Sequence, residues 1–422
     1  MTADAHRAID AVWRIESARL IAGLARMVGD VGLAEDLAQD ALLAALERWP
    51  EAGIPDNPGA WLMATAKHRA IDQLRRRKMQ ERKHEQVAYQ LDEQERAMPD
   101  FDAALDDHIG DDLLRLIFTA CHPVLSTEAQ VSLTLRLLGG LTTEEIARAF
   151  LAPVPTIQQR IVRAKRTLRE ARVPFEVPAA AQLPERLSSV LGVIYLIFNE
   201  GYSATAGDDW VRPALCEDAL RLGRILAELA PAEPEVHGLV ALMEIQASRL
   251  RARVGTEGEP ILLPDQDRAR WDRLLIRRGL AALERAEQLS GALGPYTLQA
   301  AIAACHARAR TPEETDWTRM TALYDALAQL TPSPVVELNR AVAYAMAFGP
   351  AAGLEIVDAL IDEPSLKAYH LLPSVRGDFL YKLGRFEEAR AEFMHAAEMT
   401  RNARERALLL ERSAACPDTG ST

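Results

Sequence analysis

The sequence has few cysteines and few aromatic residues. Four cysteines are spread over 422 residues, and none belongs to a Cys-x-x-Cys pair of the kind that structural zinc sites use. The two that precede a histidine, Cys121 and Cys305, lack further ligands at the spacing of a tetrahedral site. We therefore expect reduced, mostly buried thiols, no metal and no cofactor.

Long apolar runs and alternating apolar–polar runs are also missing. No segment approaches the roughly 20 apolar residues that cross a bilayer, and residues 1–7 have no apolar signal-peptide core. We expect a cytoplasmic protein without membrane contact. Because 49% of the residues are hydrophobic but only 5% are aromatic, the chain is rich in alanine and leucine, which favours an all-α fold.

Positive charge is scarce overall and concentrated in one place. The net charge of −12 argues against nucleic-acid binding over the whole surface. Residues 61–83 nevertheless hold eight cations against two carboxylates, a local charge of +6. A helix that opens on Trp61 and carries such a run suits single-stranded nucleic acid, because rings stack on bases and cations follow phosphates. Taken alone, the run is more simply explained as a solvated basic helix.

A helix–turn–helix pattern occupies residues 140–166. Thr142 and Glu145 have the spacing of a capping box, which starts the first helix. Pro155 suits the first position of the second helix, where proline is favoured. Spacings of four, three and four residues then place a set of apolar side chains on its core face: Ile157, Ile161, Ala164 and Leu168.

The opposite face of this second helix is polar and rich in cations. Glutamine can bond adenine through two hydrogen bonds and arginine can bond guanine or phosphate, so the face can read a major groove. An ordinary helical hairpin with a solvated side is the alternative. The candidate DNA-reading residues are Thr156, Gln158, Gln159, Arg160, Arg163 and Arg166.

Composition divides the chain into four segments. Residues 1–85 show the periodicity of three amphipathic helices. Residues 86–112 are acidic and poor in apolar residues, which indicates a flexible linker. Helical periodicity resumes over residues 113–175, and prolines then precede a helical extension over residues 184–422.

With these segments in place, residues 1–175 resemble the extracytoplasmic-function (ECF) sigma factors of bacterial RNA polymerase. Residues 36–41, Asp-Leu-Ala-Gln-Asp-Ala, resemble their polymerase-binding helix. Residues 60–77, which open on Ala-Trp-Leu and close on Arg-Arg-Arg, resemble the helix that reads and melts the −10 element. Residues 140–166 resemble the helix–turn–helix that reads the −35 element. Two motifs in this order, joined by a linker, are more specific than either one.

The resemblance implies a sigma region 2 domain, an acidic linker and a sigma region 4 domain. It also implies two partners, promoter DNA and the RNA polymerase core with its β′ and β subunits. Asp36, Gln39 and Asp40 share one helical face, as docking on a basic polymerase surface requires. The residues assigned to the −10 strand are Trp61, Lys67, His68, Arg69, Arg75, Arg76, Arg77 and Lys78.

One position departs from the family. Many members carry asparagine where this chain has His68, in the pocket that receives a flipped-out −10 base. A histidine can still stack or form a hydrogen bond there, so the general role is kept.

The extension resembles that of one sigma-factor subgroup, whose marks here are residues 195–202, 265–272 and 334–341. Gly349 and Gly384 lie 35 residues apart, close to the roughly 34-residue period of tetratricopeptide repeats. The first marked segment holds three polar residues, Asn199, Glu200 and Tyr202. They either line a small-molecule pocket or, as buried polar groups, hold the helices together.

The leading hypothesis is a sigma factor rather than an enzyme: a polymerase subunit that selects promoters, with an extension that regulates or supports it. The resemblance leaves open a regulatory protein that contacts the extension. One alternative is a one-component helix–turn–helix regulator that senses a ligand and does not bind core polymerase. Another is an enzyme built around Glu200 and Tyr202. The carboxylates at residues 36–40 distinguish the first two hypotheses, because such a regulator needs no polymerase-docking helix.

Overall fold

α-Helices form almost all of the described chain. In the computed structural model the described residues are 2–85, 109–150, 152–204, 206–256, 258–289 and 291–417. They contain eighteen α-helices and one pair of two-residue strands, so the predicted all-α fold is confirmed. None of the helices in these ranges is long and apolar enough to span a bilayer.

Three long helices open the first of two units, Met1–Ile194. They are α1 (Thr2–Val28), α2 (Val31–Ala52) and α3 (Pro58–Glu85). The three pack against one another and bury apolar side chains such as Leu37 and Leu62. Asp30 starts α2, because its carboxylate accepts a hydrogen bond of 2.9 Å from the Leu33 N–H.

Four shorter helices follow in the same unit: α4 (Ile109–Ala120), α5 (Thr127–Leu137), α6 (Thr143–Ala149) and α7 (Val154–Glu170). α4 packs on α1, and α7 packs across α5 and α6. The start of α8 (Leu183–Tyr202) also belongs to this unit. There Arg186 donates a hydrogen bond of 2.7 Å to the carbonyl oxygen of Phe118 in α4.

The predicted linker, residues 86–112, is wrong at its C-terminal end. All but its last four residues lie outside the described ranges, but α4 already begins at Ile109, four residues earlier than the periodicity predicted. Asp112 lies in the first turn of α4, where the helix dipole favours a carboxylate. It is buried and pairs with Arg115 at 2.7 Å and with Arg26 at 3.2 Å. The end of this acidic run is therefore a helix start.

The second unit, Tyr195–Thr422, contains the end of α8 and ten further helices among its described residues. They are α9 (Pro213–Leu229), α10 (Pro234–Ala247), α11 (Arg273–Leu289), α12 (Pro295–Arg308), α13 (Trp317–Leu330), α14 (Pro334–Phe348), α15 (Pro350–Asp358), α16 (Leu371–Lys382), α17 (Phe386–Met399) and α18 (Ala403–Ala414). Proline opens α9, α10, α12, α14 and α15, because the N–H that it lacks has no partner at a helix start.

A short parallel strand pair joins the two ends of this unit. It consists of β1 (Ala206–Gly207) and β2 (Arg401–Asn402). The Asn402 side chain donates to the carbonyl oxygens of Ala204 at 3.1 Å and Asp209 at 2.8 Å. Two residues are too few to leave an alternating pattern, so the sequence does not predict these strands.

Helical hairpins form the C-terminal part of the second unit. α14 packs on α15, and α16 packs on α17. Each turn contains a glycine with positive φ, Gly349 at +99° and Gly384 at +77°, a conformation that other residues rarely adopt. Within the first hairpin the helices approach closely, since a Cβ atom on Gly353 would lie 2.7 Å from the carbonyl oxygen of Ala341.

Replacing Gly353 with alanine is expected to destabilise the protein by about 1–3 kcal/mol, because the added methyl group would force α14 and α15 apart. Gly192→Ala in α8 is the matched control, since no atom lies within 4 Å of the position that its Cβ would take. There alanine is expected to stabilise the helix by about 0.5–1 kcal/mol. Thermal and urea unfolding measure both changes, and equal effects of the two substitutions would contradict the close approach.

Candidate nucleic-acid interfaces

The predicted helix–turn–helix corresponds to α6 and α7. Its capping box is formed, because the Glu145 N–H donates to Thr142 Oγ1 at 3.1 Å and the Thr142 N–H donates to Glu145 Oε2 at 2.8 Å. Pro155 lies in the first turn of α7. The four predicted core residues of α7 are all buried. The helix therefore turns its polar side outward.

This outward side carries the predicted DNA-reading residues. All of them are exposed except Arg160, which is half-buried. Gln159, Arg160 and Arg163 line an open cleft of about 380 Å³. Its opposite wall includes the start of α5, which is capped by Ser126. The cleft thus combines two cations with the positive end of a helix dipole, an arrangement that attracts anions.

The predicted −10 helix is α3, and it is anchored by its tryptophan. The ring of Trp61 contacts Trp49 of α2 edge to face, with centroids 5.3 Å apart. Trp61 is half-buried, so part of its ring remains accessible. Farther along α3, Lys67 is half-buried, whereas the exposed residues include His68, Arg69 and Arg75. The side chains of Arg76, Arg77 and Lys78 lie outside the described part of the structure.

The imidazole of His68 is held by its own helix. Its Nδ1 lies 2.7 Å from the carbonyl oxygen of Ala64. Since a carbonyl oxygen only accepts, Nδ1 carries a proton, and in the neutral imidazole Nε2 is then an acceptor. An asparagine side chain offers both a donor and an acceptor at this position, whereas neutral His68 has only the acceptor Nε2 left to offer a base.

The predicted polymerase-docking residues share the outer surface of α2. The side chain of Asp36 is 72% exposed and that of Asp40 is 53% exposed. Asp40 lies 3.4 Å from Arg69 of α3, and such solvent-exposed ion pairs contribute little to stability. Gln39 is half-buried and donates to Glu35 at 2.5 Å. The two carboxylates are therefore accessible, and Gln39 is partly engaged within the protein.

A buried carboxylate on α2 joins the two predicted DNA-reading parts. The side chain of Glu35 is 3% exposed, and it pairs with Arg136 of α5 at 2.6 Å and with Lys165 of α7. Removing a carboxylate from water is costly unless cations and hydrogen bonds replace the water. Glu35 therefore holds α2 against α5 and α7. We refer to Glu35, Arg136 and Lys165 as the Glu35 cluster.

Two further ion pairs lie along the same contact. Arg14 of α1 pairs with Glu145 of α6 at 2.6 Å, and Asp30 pairs with Arg169 of α7 at 2.7 Å. Burial alone would raise the pKa of Asp30, but the hydrogen bond from Leu33 and the Arg169 cation hold that pKa below its ordinary value. Two carboxylates at the start of α2, those of Asp30 and Glu35, thus pair with Arg169 and Lys165 on the inner edge of α7.

Sequence reasoning missed Glu35, although a signal for it was present. The buried face of α2 is otherwise apolar and includes Ala34, Leu37, Ala38 and Ala41. A glutamate within such a stripe must find a partner. The partners themselves could not be named, since Arg136 lies 101 residues away.

In the extension, Glu200 and Tyr202 hold the junction between α8 and α9. Glu200 pairs with Arg212 at 2.5 Å, and the two side chains are only 11% and 14% exposed. The Tyr202 ring stacks on Phe198 at 5.7 Å, and Asn199 is half-buried. These contacts favour the packing role.

Metal and thiol chemistry receive no support within the described ranges. No group of three or more His, Cys, Asp or Glu side chains is arranged there to hold a metal ion. All four cysteines are free and buried. Burial raises the pKa of Cys121 and of Cys216 to about 12, so these thiols remain protonated.

Comparison with protein families identifies three segments. Residues 15–79 match Sigma-70 region 2, and residues 115–168 match Sigma-70, region 4. Residues 186–287 match a family of unknown function, DUF6596. The first two matches contain α2 with most of α3, and the helix–turn–helix.

Individual proteins are also similar to this chain. An uncharacterized protein of Rhizobium meliloti, R00370, is 44% identical over 401 residues, which are 94% of this chain and 93% of that protein. A probable ECF RNA polymerase sigma factor of Mycobacterium tuberculosis, SigI, is 29% identical over 181 residues, which are 42% of this chain and 59% of that protein. No solved structure matches.

Glu35→Gln is expected to destabilise the first unit by about 2–4 kcal/mol, because it removes the buried counter-charge of Arg136 and leaves Lys165 only the exposed Asp36, at 3.9 Å. Glu47→Gln is the control, since it removes the same charge from an exposed position on the same helix and should change stability by less than about 0.5 kcal/mol. Urea unfolding compares the two. A neutral effect at both positions would show that the Glu35 cluster does not stabilise the fold.

Proposed function

Because this chain belongs to the ECF sigma factors and carries a C-terminal helical extension, we propose that it binds the RNA polymerase core and directs it to promoters by reading the −35 and −10 elements. Sigma factors are transcription initiation factors rather than enzymes. The observation that carries the proposal is the order of surfaces along one unit: exposed carboxylates on α2, a basic α3 and an outward polar face on α7. A one-component regulator needs only the last of these.

Asp36 and Asp40 are the proposed contacts with the polymerase core. Both are accessible on one face of α2, and their negative charge complements a basic surface on the β′ subunit. Arg69 is the only described cation paired with Asp40. Because that pair is exposed, the energy needed to exchange it for a polymerase cation is small.

α3 is the proposed −10 helix, with His68 next to the extruded base. Unstacking a base costs a few kcal/mol, which stacking and hydrogen bonds in a pocket offset. The outward Nε2 of His68 can accept a hydrogen bond from an exocyclic amino group, which thymine lacks. We infer that a base with such a group is preferred there.

α7 is the proposed −35 recognition helix. Residues near the start of a recognition helix contact base edges, and Gln158 and Gln159 occupy that part of α7. Arg163 lines the cleft opposite the start of α5, where a backbone phosphate would meet a cation and a helix N-terminus. The proposal thus separates base reading by glutamine from phosphate binding by arginine.

Both elements can be read only if the Glu35 cluster opens. Elements centred at −35 and −10 are about 25 base pairs apart, or roughly 80 Å along B-form DNA at ~3.4 Å per base pair. In the structure α2 and α7 are in direct contact through Glu35 and Lys165. We propose that binding to the polymerase core, next to Glu35 at Asp36, separates them.

The decisive experiment is binding of the purified full-length protein to core polymerase, followed by run-off transcription. Asp36→Arg/Asp40→Arg should reduce core binding at least about tenfold, because two attractions become repulsions. Glu47→Arg, an exposed reversal on the same helix, should bind as the wild type does. Failure of the wild type to bind core would exclude the sigma-factor proposal in favour of a one-component regulator.

The division of labour on α7 is tested with the polymerase holoenzyme on a set of promoters that differ in the −35 element. Gln159→Ala should reduce the free-energy difference between correct and incorrect bases at one base pair by about 1–3 kcal/mol. Arg163→Ala should weaken binding to every promoter and lower the slope of binding against salt by about one. Glu176→Gln, at an exposed position beyond the C-terminal end of α7, is the control. Uniform weakening by Gln159→Ala would contradict base reading by that residue.

A further inference from the structure

Three arginines and three aromatic rings form an alternating row in the second unit. Arg253 lies 5.4 Å from the Trp210 ring and 3.8 Å from the Tyr202 ring. Arg249 lies 5.8 Å from the Tyr202 ring and 5.8 Å from the Trp271 ring. Arg268 lies 4.9 Å from the Trp271 ring. The row joins two of the marked sequence segments, residues 195–202 and 265–272.

This row holds positive charge away from water without a matching carboxylate. Arg249 is 9% exposed and Arg268 is 7% exposed, and Arg253 is half-buried. Among the described residues, none of the three has a carboxylate oxygen within 4.0 Å. The nearest influence of opposite sign on Arg268 comes from Glu313 and Glu314, which are both exposed. Burial, and then the neighbouring Arg249 cation, lower the pKa of Arg268.

Two of the arginines are stabilised by the ends of helices. Arg253 donates to the carbonyl oxygen of Tyr202, the last residue of α8, at 3.1 Å. Arg268 donates to the carbonyl oxygens of His306 and Ala309, at the end of α12, at 2.7 Å each. Cations are favoured at helix C-termini, where the dipole is negative and carbonyl groups lack partners. These two arginines therefore have structural roles.

Arg249 has no such partner. Its guanidinium makes no hydrogen bond or ion pair to any described residue, and its Nε atom is fully enclosed. The indole N–H of Trp271, beside it, is also enclosed and unpaired. A buried charge is unfavourable unless an opposite charge or hydrogen bonds compensate. Cation–π contacts to two rings 5.8 Å away offset only part of this cost.

The neighbouring histidine adds no charge that could change this balance. His306 is half-buried, and burial, Arg249 and Arg268 lower its pKa to about 3. Its Nδ1 is enclosed without a hydrogen-bond partner. A neutral imidazole, an indole N–H and an unpaired guanidinium thus share a small region whose net charge is positive.

We propose that the second unit binds a small molecule bearing a carboxylate or phosphate group, and that the anionic group occupies the open side of Arg249. Guanidinium groups bind both kinds of anion through paired hydrogen bonds. Arg249 is nine-tenths enclosed, which fits a small anionic group better than a nucleic-acid backbone or a protein surface. The bound anion supplies the counter-charge that the row of arginines lacks.

The experiment uses the full-length protein, without polymerase, and two probes: inorganic phosphate and acetate. Thermal unfolding and calorimetric titration are measured at constant ionic strength, with chloride as the reference anion. Saturable stabilisation of the wild type by one probe is expected, because a ligand that binds only the folded state raises its unfolding temperature. The probe that acts identifies whether the site prefers phosphate or carboxylate.

Arg249→Gln should weaken the affinity for that probe at least about tenfold, as loss of a charged hydrogen-bond pair predicts. Arg251→Gln is the matched control, since it removes the same charge from an exposed side chain two residues away. It should bind as the wild type does. Arg249→Lys keeps the charge but loses the paired hydrogen-bond geometry. This variant should fold, and it should bind the probe more weakly than the wild type does. It therefore tests the site even if Arg249→Gln does not fold.

Three results would overturn the proposal. The first is no saturable stabilisation of the wild type by either probe. The second is that Arg249→Lys and Arg249→Gln both bind the probe with the same affinity as the wild type. The third is equal loss of affinity in Arg251→Gln, which would indicate a general effect of charge. None of these results bears on polymerase binding, so the sigma-factor proposal stands or falls separately.

Discussion

A carboxylate almost completely removed from water, that of Glu35, is the interaction on which the first unit depends. It can remain charged there only because Arg136 and Lys165 replace the water, one from α5 and the other from α7. Their convergence sets which edge of α7 faces α2, and hence which side faces outward. The exposed carboxylates of Asp36 and Asp40 lie on the same helix. The proposed docking surface and the proposed DNA-reading surface are thereby linked through one helix.

The extension solves the same problem of buried charge differently. Arg253 and Arg268 are stabilised by hydrogen bonds to carbonyl groups at helix ends rather than by ion pairs with carboxylates. Arg249 stands between them without such a group. The two units thus contrast: in the first a buried carboxylate is paired with two cations, and in the second the buried Arg249 has no carboxylate partner among the described residues. The latter arrangement is the more informative, because the missing partner points to a ligand.

Much of the fold and part of the candidate site were predictable from local patterns. The capping box of Thr142 and Glu145 is formed with both hydrogen bonds, and the apolar spacing of α7 is matched by burial of the same four residues. Gly349 and Gly384 occupy positive-φ turns. Prediction was less successful at the acidic run before residue 113, where Asp112 belongs to α4. Its partner Arg26 comes from a helix far away in sequence.

The sequence by itself determined the helices, their caps and the order of the sigma regions, because each depends on residues within about one helical turn of one another. The partners of buried charges were decided only by the tertiary structure. Glu35 meets Arg136 across 101 residues, and Arg249, just beyond the end of α10, meets the Tyr202 ring of α8. Whether a buried charge is paired depends on every group around it in space. No sequence spacing encodes that neighbourhood.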